Sequence, residues 1–315
     1  MKILMFGRGV ITTQYGWAFA KAGHQVEFYV RPGKAAIYGP ELPLELLDAR
    51  KKITGDLIKE TAQLTLREDI PDNHDFDLII LSVQHYQFAE AVSFLGPKIG
   101  NATLLIFNNF WKDPLEITNA LPFNQLAWGF PQSGGGFDQA GTLKGALFAD
   151  VHFGTFGTEP TDREIAVRNL FSSAGFKPIE HKDFKGWLYI HFAVEAGLFA
   201  EVLKIGSVAE VIRSHKHVKN AIMNVRELLP VVAARGIILD NNKDDFSFYL
   251  RPAWLASFLL RMLTKISPPL RFFMLSHNNP KEIRSYCQDV LAEARRLGLE
   301  VPRLESIANK LQAVD

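Results

Sequence analysis

The sequence predicts an α/β domain built on a parallel sheet, followed by an all-α domain. Two observations carry this reading. Up to about residue 180, short apolar runs alternate with stretches of helical spacing, and glycines separate them, as in strand–helix–strand units. Beyond that point apolar residues recur only at helical spacing, with Gly236, Pro268-Pro269 and Gly298 as breaks. The division is placed at 178/179, giving domains 1-178 and 179-315, and 315 residues are long enough for two.

The first element is the run Ile3 to Phe6, short and sharply bounded like a buried parallel strand. It breaks at Gly7-Arg8-Gly9. A helix follows, with Tyr15, Ala18, Phe19 and Ala22 on one face and Gly23 as its stop, and a second strand covers Gln25–Val30. This β-α-β unit is Rossmann-like and suited to a dinucleotide. Gly7 permits the tight turn off the strand, and Gly9 lets the backbone approach a pyrophosphate. The N–H groups at the helix start, with Arg8, Val10, Ile11 and Thr12, then meet the anion. Thr12 stands where the usual third glycine would be. That loosens helix–strand packing but leaves a hydroxyl that can face a phosphate.

The tip of the second strand selects the cofactor. An NAD site places an acid there for the ribose hydroxyls, whereas an NADP site offers a cation to the 2′-phosphate. Here the tip is Val30-Arg31-Pro32-Gly33-Lys34, and Glu27 lies too early in the strand. Arg31 and Lys34 therefore predict NADP(H).

Residues 55–75 lead towards the sheet, and the next strand is Phe76–Leu81. Gln84 and Gln87 follow at its C-terminal end, where ligands of open parallel sheets bind. After a helix carrying Ala89, Val92 and Leu95, the strand Thr103–Phe107 delivers Asn109 to the same edge. From Leu126 the chain becomes aromatic and glycine-rich, and His152–Phe156 reads as an antiparallel strand finishing the sheet. Ser133-Gly134-Gly135-Gly136 lacks the lysine and hydroxyl of a P-loop and reads as a flexible turn. Thr161 or Asp162 caps a helix ending before Gly175. Helices are expected near 183–204, 207–214, 217–235, 252–266 and 280–297.

The balance of 35 basic and 34 acidic residues removes any argument for a nucleic-acid partner from overall charge. The single cysteine, Cys287, excludes a disulfide framework within the chain and fits a reducing cytoplasm, as does an N-terminus that starts with a strand. Ala253–Leu275 is the most membrane-like stretch, but Arg261, Lys265, Pro268-Pro269 and Arg271 interrupt it. It falls short of the roughly 20 apolar residues that span a bilayer and reads as a buried helix with a proline bend. His215-Lys216-His217 lacks a third ligand nearby and reads as an exposed turn, so no metal is expected.

The order of these features resembles the ketopantoate reductase family (2-dehydropantoate 2-reductases). The likeness is strongest in G-R-G-V-I-T-T-Q-Y-G-W-A-F-A-K-A-G-H-Q-V. It returns in Lys281-Glu282-Ile283 and in Leu297-Gly298-Leu299-Glu300-Val301-Pro302, which look like the family's T-E-I and L-G-x-x-x-P ending. The resemblance implies NADPH-dependent reduction of a 2-oxo acid, with Arg31 on the 2′-phosphate, Gln87 matching a K-x-x-Q run and Asn109 matching the asparagine of an N-G motif. The family's catalytic lysine and asparagine, in K-L-x-x-N, fall on His191 and Glu195. A register anchored on Trp187 would instead give Tyr189 and Ala193. Glu282 matches the acid that helps hold substrate.

The chemistry suits that substitution. Ketone reduction by hydride needs a proton donor for the developing alkoxide. His191 could serve, and Glu195 one turn on supplies the opposite charge for a cationic imidazole. The aromatics Phe110, Trp111, Trp254, Phe272 and Phe273 would suit a larger or greasier carbonyl or hydroxy-acid substrate. The expectation is thus an NADPH-dependent oxidoreductase. It would be cytoplasmic, with no membrane partner, and able to pair as a homodimer through its C-terminal helices. The alternative, motivated by the missing lysines, is a catalytically silent NADP(H)-binding sensor or interaction protein.

Overall fold

Twelve strands and fourteen helices follow one another in the structure, a computed structural model that describes residues 1–276 and 279–312. The order begins β1 (Lys2–Phe6), α1 (Val10–Lys21), β2 (Gln25–Tyr29), α2 (Ala35–Tyr38), β3 (Glu41–Ala49), β4 (Asp56–Gln63), β5 (Thr65–Arg67) and β6 (Leu78–Leu81). It continues α3 (Phe88–Leu95), β7 (Thr103–Phe107), α4 (Pro114–Ile117), β8 (Leu126–Phe130), β9 (Ser133–Phe137), β10 (Leu143–Phe148), β11 (Asp150–Gly154), α5 (Asp162–Ser173) and β12 (Lys177–His181). Helices complete it: α6 (Phe184–Ile205), α7 (Val208–Arg213), α8 (His215–Ala234), α9 (Lys243–Leu250), α10 (Ala253–Ile266), α11 (Pro268–Ser276), α12 (Pro280–Arg296), α13 (Pro302–Glu305) and α14 (Ala308–Leu311).

The chain divides into two units, and the division is not the single cut expected at 178/179. The first unit holds Met1–Asn108, Asp113–His181 and Ser267–Ser276. The second holds Asn109–Lys112, Lys182–Ile266 and the described residues from Asn279 on.

In the first unit the main sheet has the order β12-β11-β8-β7-β6-β1-β2-β5. The strands from β8 to β5 are mutually parallel, β11 runs antiparallel to β8, and β12 is parallel to β11. Strands β1, β6 and β7 read as unbroken apolar runs because the sheet is covered on both faces. Thr12 does forfeit the third glycine, yet the close helix–strand contact reappears one turn later. A Cβ on Gly16 would lie 2.6 Å from the Phe28 ring and 3.2 Å from Met5 Cγ.

A second sheet, β4-β3-β10-β9, was not foreseen. Its β9 is the Ser133–Gly136 run, so these glycines form a strand and not a flexible turn. They are small because neighbours press on them. A Cβ on Gly134 would sit 2.6 Å from the Phe273 ring of α11, and Gly135 faces the backbone of Lys144. Ser267 Oγ donates to the Ile53 carbonyl at 3.1 Å, and Pro269 lies against Gly55, which fixes α11 to this sheet.

In the second unit α6 packs on α8 and α12 around Phe192, Phe199, Val225, Leu228 and Val290. Gly197 is the point of closest approach, where a Cβ would stand 2.6 Å from the Val225 backbone nitrogen. Cys287 is fully buried, its thiol donates to the Ala196 carbonyl at 3.3 Å, and burial pushes its pKa up.

One expectation for this unit is corrected. Helix α10 is not a buried helix: it buries Ala253, Ala256 and Ser257 and turns Trp254, Phe258, Met262 and Ile266 outward. No helix among the described residues is long and apolar enough to cross a membrane. His215-Lys216-His217 is the first turn of α8, with His215 and Lys216 exposed as expected and His217 half-buried. Ser257 Oγ lies 2.7 Å from His215 Nδ1, and the buried Glu201 carboxylate lies 2.8 Å from His217 Nδ1.

Because Gly197 meets backbone and not a movable side-chain tip, Gly197→Ala must push α6 from α8. Denaturant unfolding is expected to show a loss of about 1–3 kcal/mol, the usual range for overpacking.

Candidate active site

In the first unit the C-terminal ends of the parallel strands carry the cofactor candidates. Gly7 turns off β1 at φ 99°, a left-handed conformation that side chains disfavour, and its N–H donates to the Tyr29 carbonyl at 2.9 Å. Gly9 precedes α1 in extended conformation, and a Cβ there would meet only Thr12 Oγ1, at 3.6 Å. The first intrahelical bond runs from Thr13 N to Gly9 O at 3.0 Å, so the N–H groups of Val10, Ile11 and Thr12 lie ahead of the helical ladder.

Thr12 differs from expectation. Its hydroxyl is buried, accepts the Gly9 N–H at 2.9 Å and lies 3.2 Å from the Gly9 carbonyl. It therefore braces the loop and does not face a phosphate. Arg8 projects between the rings of Tyr38 and Phe137, 4.8 and 5.4 Å from their centroids. Desolvation lowers its pKa, and its buried Nε has no hydrogen-bond partner among the described residues.

At the tip of β2, Arg31 is exposed and Lys34 half-buried, just before α2. Glu27 joins Lys2 and Arg67 at 3.8 and 3.5 Å within the sheet, which commits it to structure. Gln84 is half-buried beyond β6, and Gln87 is exposed, its N–H bonded to the Gln84 carbonyl at 2.8 Å. Asn108, at the end of β7, donates from Nδ2 to the Val83 carbonyl and buries an Oδ1 without partner. Asn109, which follows Asn108, is assigned to the second unit: its Nδ2 donates to Tyr286 Oη at 3.4 Å, and its Oδ1 accepts the Phe110 N–H.

A glycine loop with only Thr12 Oγ1 near Gly9, helix-start donors at Val10, Ile11 and Thr12, and cations at Arg8, Arg31 and Lys34 fits a nicotinamide dinucleotide.

The second unit gathers the other candidates. Trp187, His191 and Glu195 share one stripe of α6. The Trp187 and His191 rings stack at 5.0 Å, and His191 Nε2 lies 3.5 Å from Glu195 Oε1. Trp187 Nε1 donates to Asp245 at 3.2 Å, fixing the foot of the stripe. His191 keeps partial exposure, whereas the alternative pair, Tyr189 and Ala193, is buried. Tyr189 packs beneath the Arg235 guanidinium, 3.9 Å from its ring centroid.

Glu282 opens α12, capped by Asn279, and Tyr286 follows one turn later. Tyr286 stacks on Phe192 at 4.0 Å. Burial first, then the charges of Glu195 and Glu282, raise its pKa far above the ordinary phenol value. Tyr249 is raised likewise by burial and Glu195. Glu195 thus faces two neutral phenols, and Tyr286 joins Asn109, Glu195 and Glu282 in one cluster. Tyr286 was missed because it reads as an ordinary core position of an amphipathic helix.

The aromatics expected at a substrate do not share one environment. Trp111 stacks on Phe192 in the second unit's core, where Phe110 is also buried. Trp254 is exposed, and Phe273 packs on Phe148 in the first unit.

Residues 3–157 match the family model of ketopantoate reductase PanE/ApbA. No curated protein sequence matches the chain. Among solved structures, 2-dehydropantoate 2-reductase from Geobacter metallireducens GS-15 aligns at 16% identity and TM-score 0.70, covering 99% of both chains. The enzyme from Porphyromonas gingivalis W83 aligns at 17% identity and TM-score 0.68, again over 99% of both chains. D-mandelate dehydrogenase with NADH and anilino(oxo)acetate aligns at 15% identity and TM-score 0.71, over 99% of this chain and 97% of that one. These likenesses establish the shared fold. The chain thus carries the ketopantoate reductase PanE/ApbA domain over residues 3–157 and shares the fold of these enzymes along its length.

Proposed function

We propose that the protein is an NADPH-dependent oxidoreductase that transfers hydride to a 2-oxo acid or related carbonyl. The observation that carries the reading is the family domain over residues 3–157, whose Gly7–Thr12 loop keeps the geometry for a dinucleotide. The structurally similar 2-dehydropantoate 2-reductase and D-mandelate dehydrogenase are both oxidoreductases by name, which supports an activity on C=O and CH–OH groups.

The residues divide the work as follows. Gly7, Gly9 and the N–H groups of Val10, Ile11 and Thr12 receive the pyrophosphate. Arg8, Arg31 and Lys34 supply cations for the remaining phosphate charge, and Gln84 and Gln87 offer amides at the same sheet edge. A bound nicotinamide supplies the hydride. His191 gives a proton to the oxygen that becomes an alkoxide, Glu195 holds its imidazole at 3.5 Å, and Glu282 positions the substrate's polar end. Asn109 steadies Tyr286.

NADPH oxidation with a panel of 2-oxo acids and aldehydes tests this assignment. His191→Ala is expected to lower kcat about 10²–10⁴-fold, the usual contribution of a general acid, with the dissociation constant for NADPH unchanged. Equal turnover in both proteins would remove His191 from the mechanism. Cofactor binding without turnover on any carbonyl would favour the silent NADP(H)-binding reading, which the replacement of the family's lysine by His191 motivates.

Arg31→Ala is expected to weaken NADPH about ten-fold or more while leaving NADH nearly unchanged, because only NADPH has a phosphate for a charge-assisted bond. Titration calorimetry with both cofactors measures this directly.

A further inference from the structure

The tip of β2 is less basic than its own sequence. Strand β5 pairs with β2 in parallel, Tyr29 opposite Arg67, and the Val30 N–H donates to the Arg67 carbonyl at 2.8 Å. The next residue, Glu68, therefore arrives at the turn that presents Arg31 and Lys34. Its Oε1 accepts the Ala35 N–H at 2.7 Å. The N–H groups of Gly33, Ala35 and Lys34 hold the carboxylate below its ordinary pKa, so it is charged at neutral pH. Its hydrogen bonds go to backbone and leave the charges of Arg31 and Lys34 in place. The turn thus combines two cations on flexible stems with one anion held rigidly beside them.

We infer that Glu68 limits how strongly this chain prefers NADPH over NADH. The inference rests on the reading that the β1–α1–β2 unit binds a nicotinamide dinucleotide. A 2′-phosphate brings about two negative charges to the end of β2. Glu68 stands there as a fixed like charge, whereas the 2′-hydroxyl of NADH carries none. Repulsion across roughly the width of a ribose, partly screened by water, opposes NADPH alone. The acid enters from the neighbouring strand, not from β2 itself, so the stretch after β2 reads as purely basic. Two neighbours titled as complexes of D-mandelate dehydrogenase with NADH show that this fold accepts the cofactor without the phosphate.

Glu68→Gln separates charge from architecture, because the amide oxygen can still accept the Ala35 N–H. Dissociation constants for NADPH and NADH are measured for the wild type, Glu68→Gln and Glu68→Ala at two salt concentrations, with thermal midpoints as the folding control. In Glu68→Gln, NADPH is expected to bind about five- to ten-fold tighter with NADH within two-fold, the gain shrinking at high salt. Glu68→Ala should shift the NADPH/NADH ratio in the same direction even if both affinities fall through a looser turn. An unchanged ratio in both variants would overturn the role of Glu68 while leaving the cofactor reading intact. Failure of the wild type to bind either dinucleotide would overturn both.

Discussion

The bond from the Gly7 N–H to the Tyr29 carbonyl is the constraint on which the first unit's candidate site depends. It locks the end of β1 to the end of β2 at a backbone angle that only glycine holds without strain. From that lock the loop has little freedom. Arg8 is directed between Tyr38 and Phe137, Gly9 begins α1, and the β2 tip is held where β5 can bring Glu68 beside it. Thr12 adds a second brace by taking the Gly9 N–H. The Gly9 N–H is therefore spent within the loop, while the Arg8 guanidinium lies beside it.

The second unit is organised differently, around close helix contact rather than a strand end. Gly197 brings α6 against α8 at the Val225 backbone. Arg235 lies over Trp111 and Tyr189 at 4.3 and 3.9 Å and pairs with Glu293 at 3.1 Å. Tyr189 is thereby spent on packing. His191 and Glu195 keep partial exposure next to the buried Trp187, and the neutral phenols of Tyr249 and Tyr286 lie within electrostatic reach of Glu195.

Much of this was legible in the residues. The strands Ile3–Phe6 and Thr103–Phe107 announce themselves as apolar runs, and of the two candidate caps of α5, Thr161 and Asp162, Thr161 takes the role through a reciprocal bond with Glu164. Long helices were legible for the same reason, since their periodicity is local. What was hidden depends on partners distant in sequence. The β3–β4 pair turns Leu42, Leu44 and Leu46 inward, but the strand that continues its sheet, β10, comes far later in the chain, and the glycines of β9 look like a turn until Phe273, farther still, is placed upon them. Thr12 could be read as a phosphate ligand because nothing local shows that its hydroxyl turns back to Gly9. Glu68 and Tyr286 were invisible as candidates because each is brought to its place by an ordinary-looking strand or helix.

The assignment of Asn109–Lys112 to one unit and Ser267–Ser276 to the other bears on how this protein can be divided. Neither unit is a continuous stretch of chain. Ending the polypeptide after the last strand of the main sheet would take α11 from the second sheet, exposing Gly134 and Phe148 where Phe273 had covered them. Starting it there would take Trp111 from between Phe192 and Arg235. The molecule is consequently not modular in the genetic sense. Each half borrows a short piece of the other's sequence, so no single cut in the chain separates the two units.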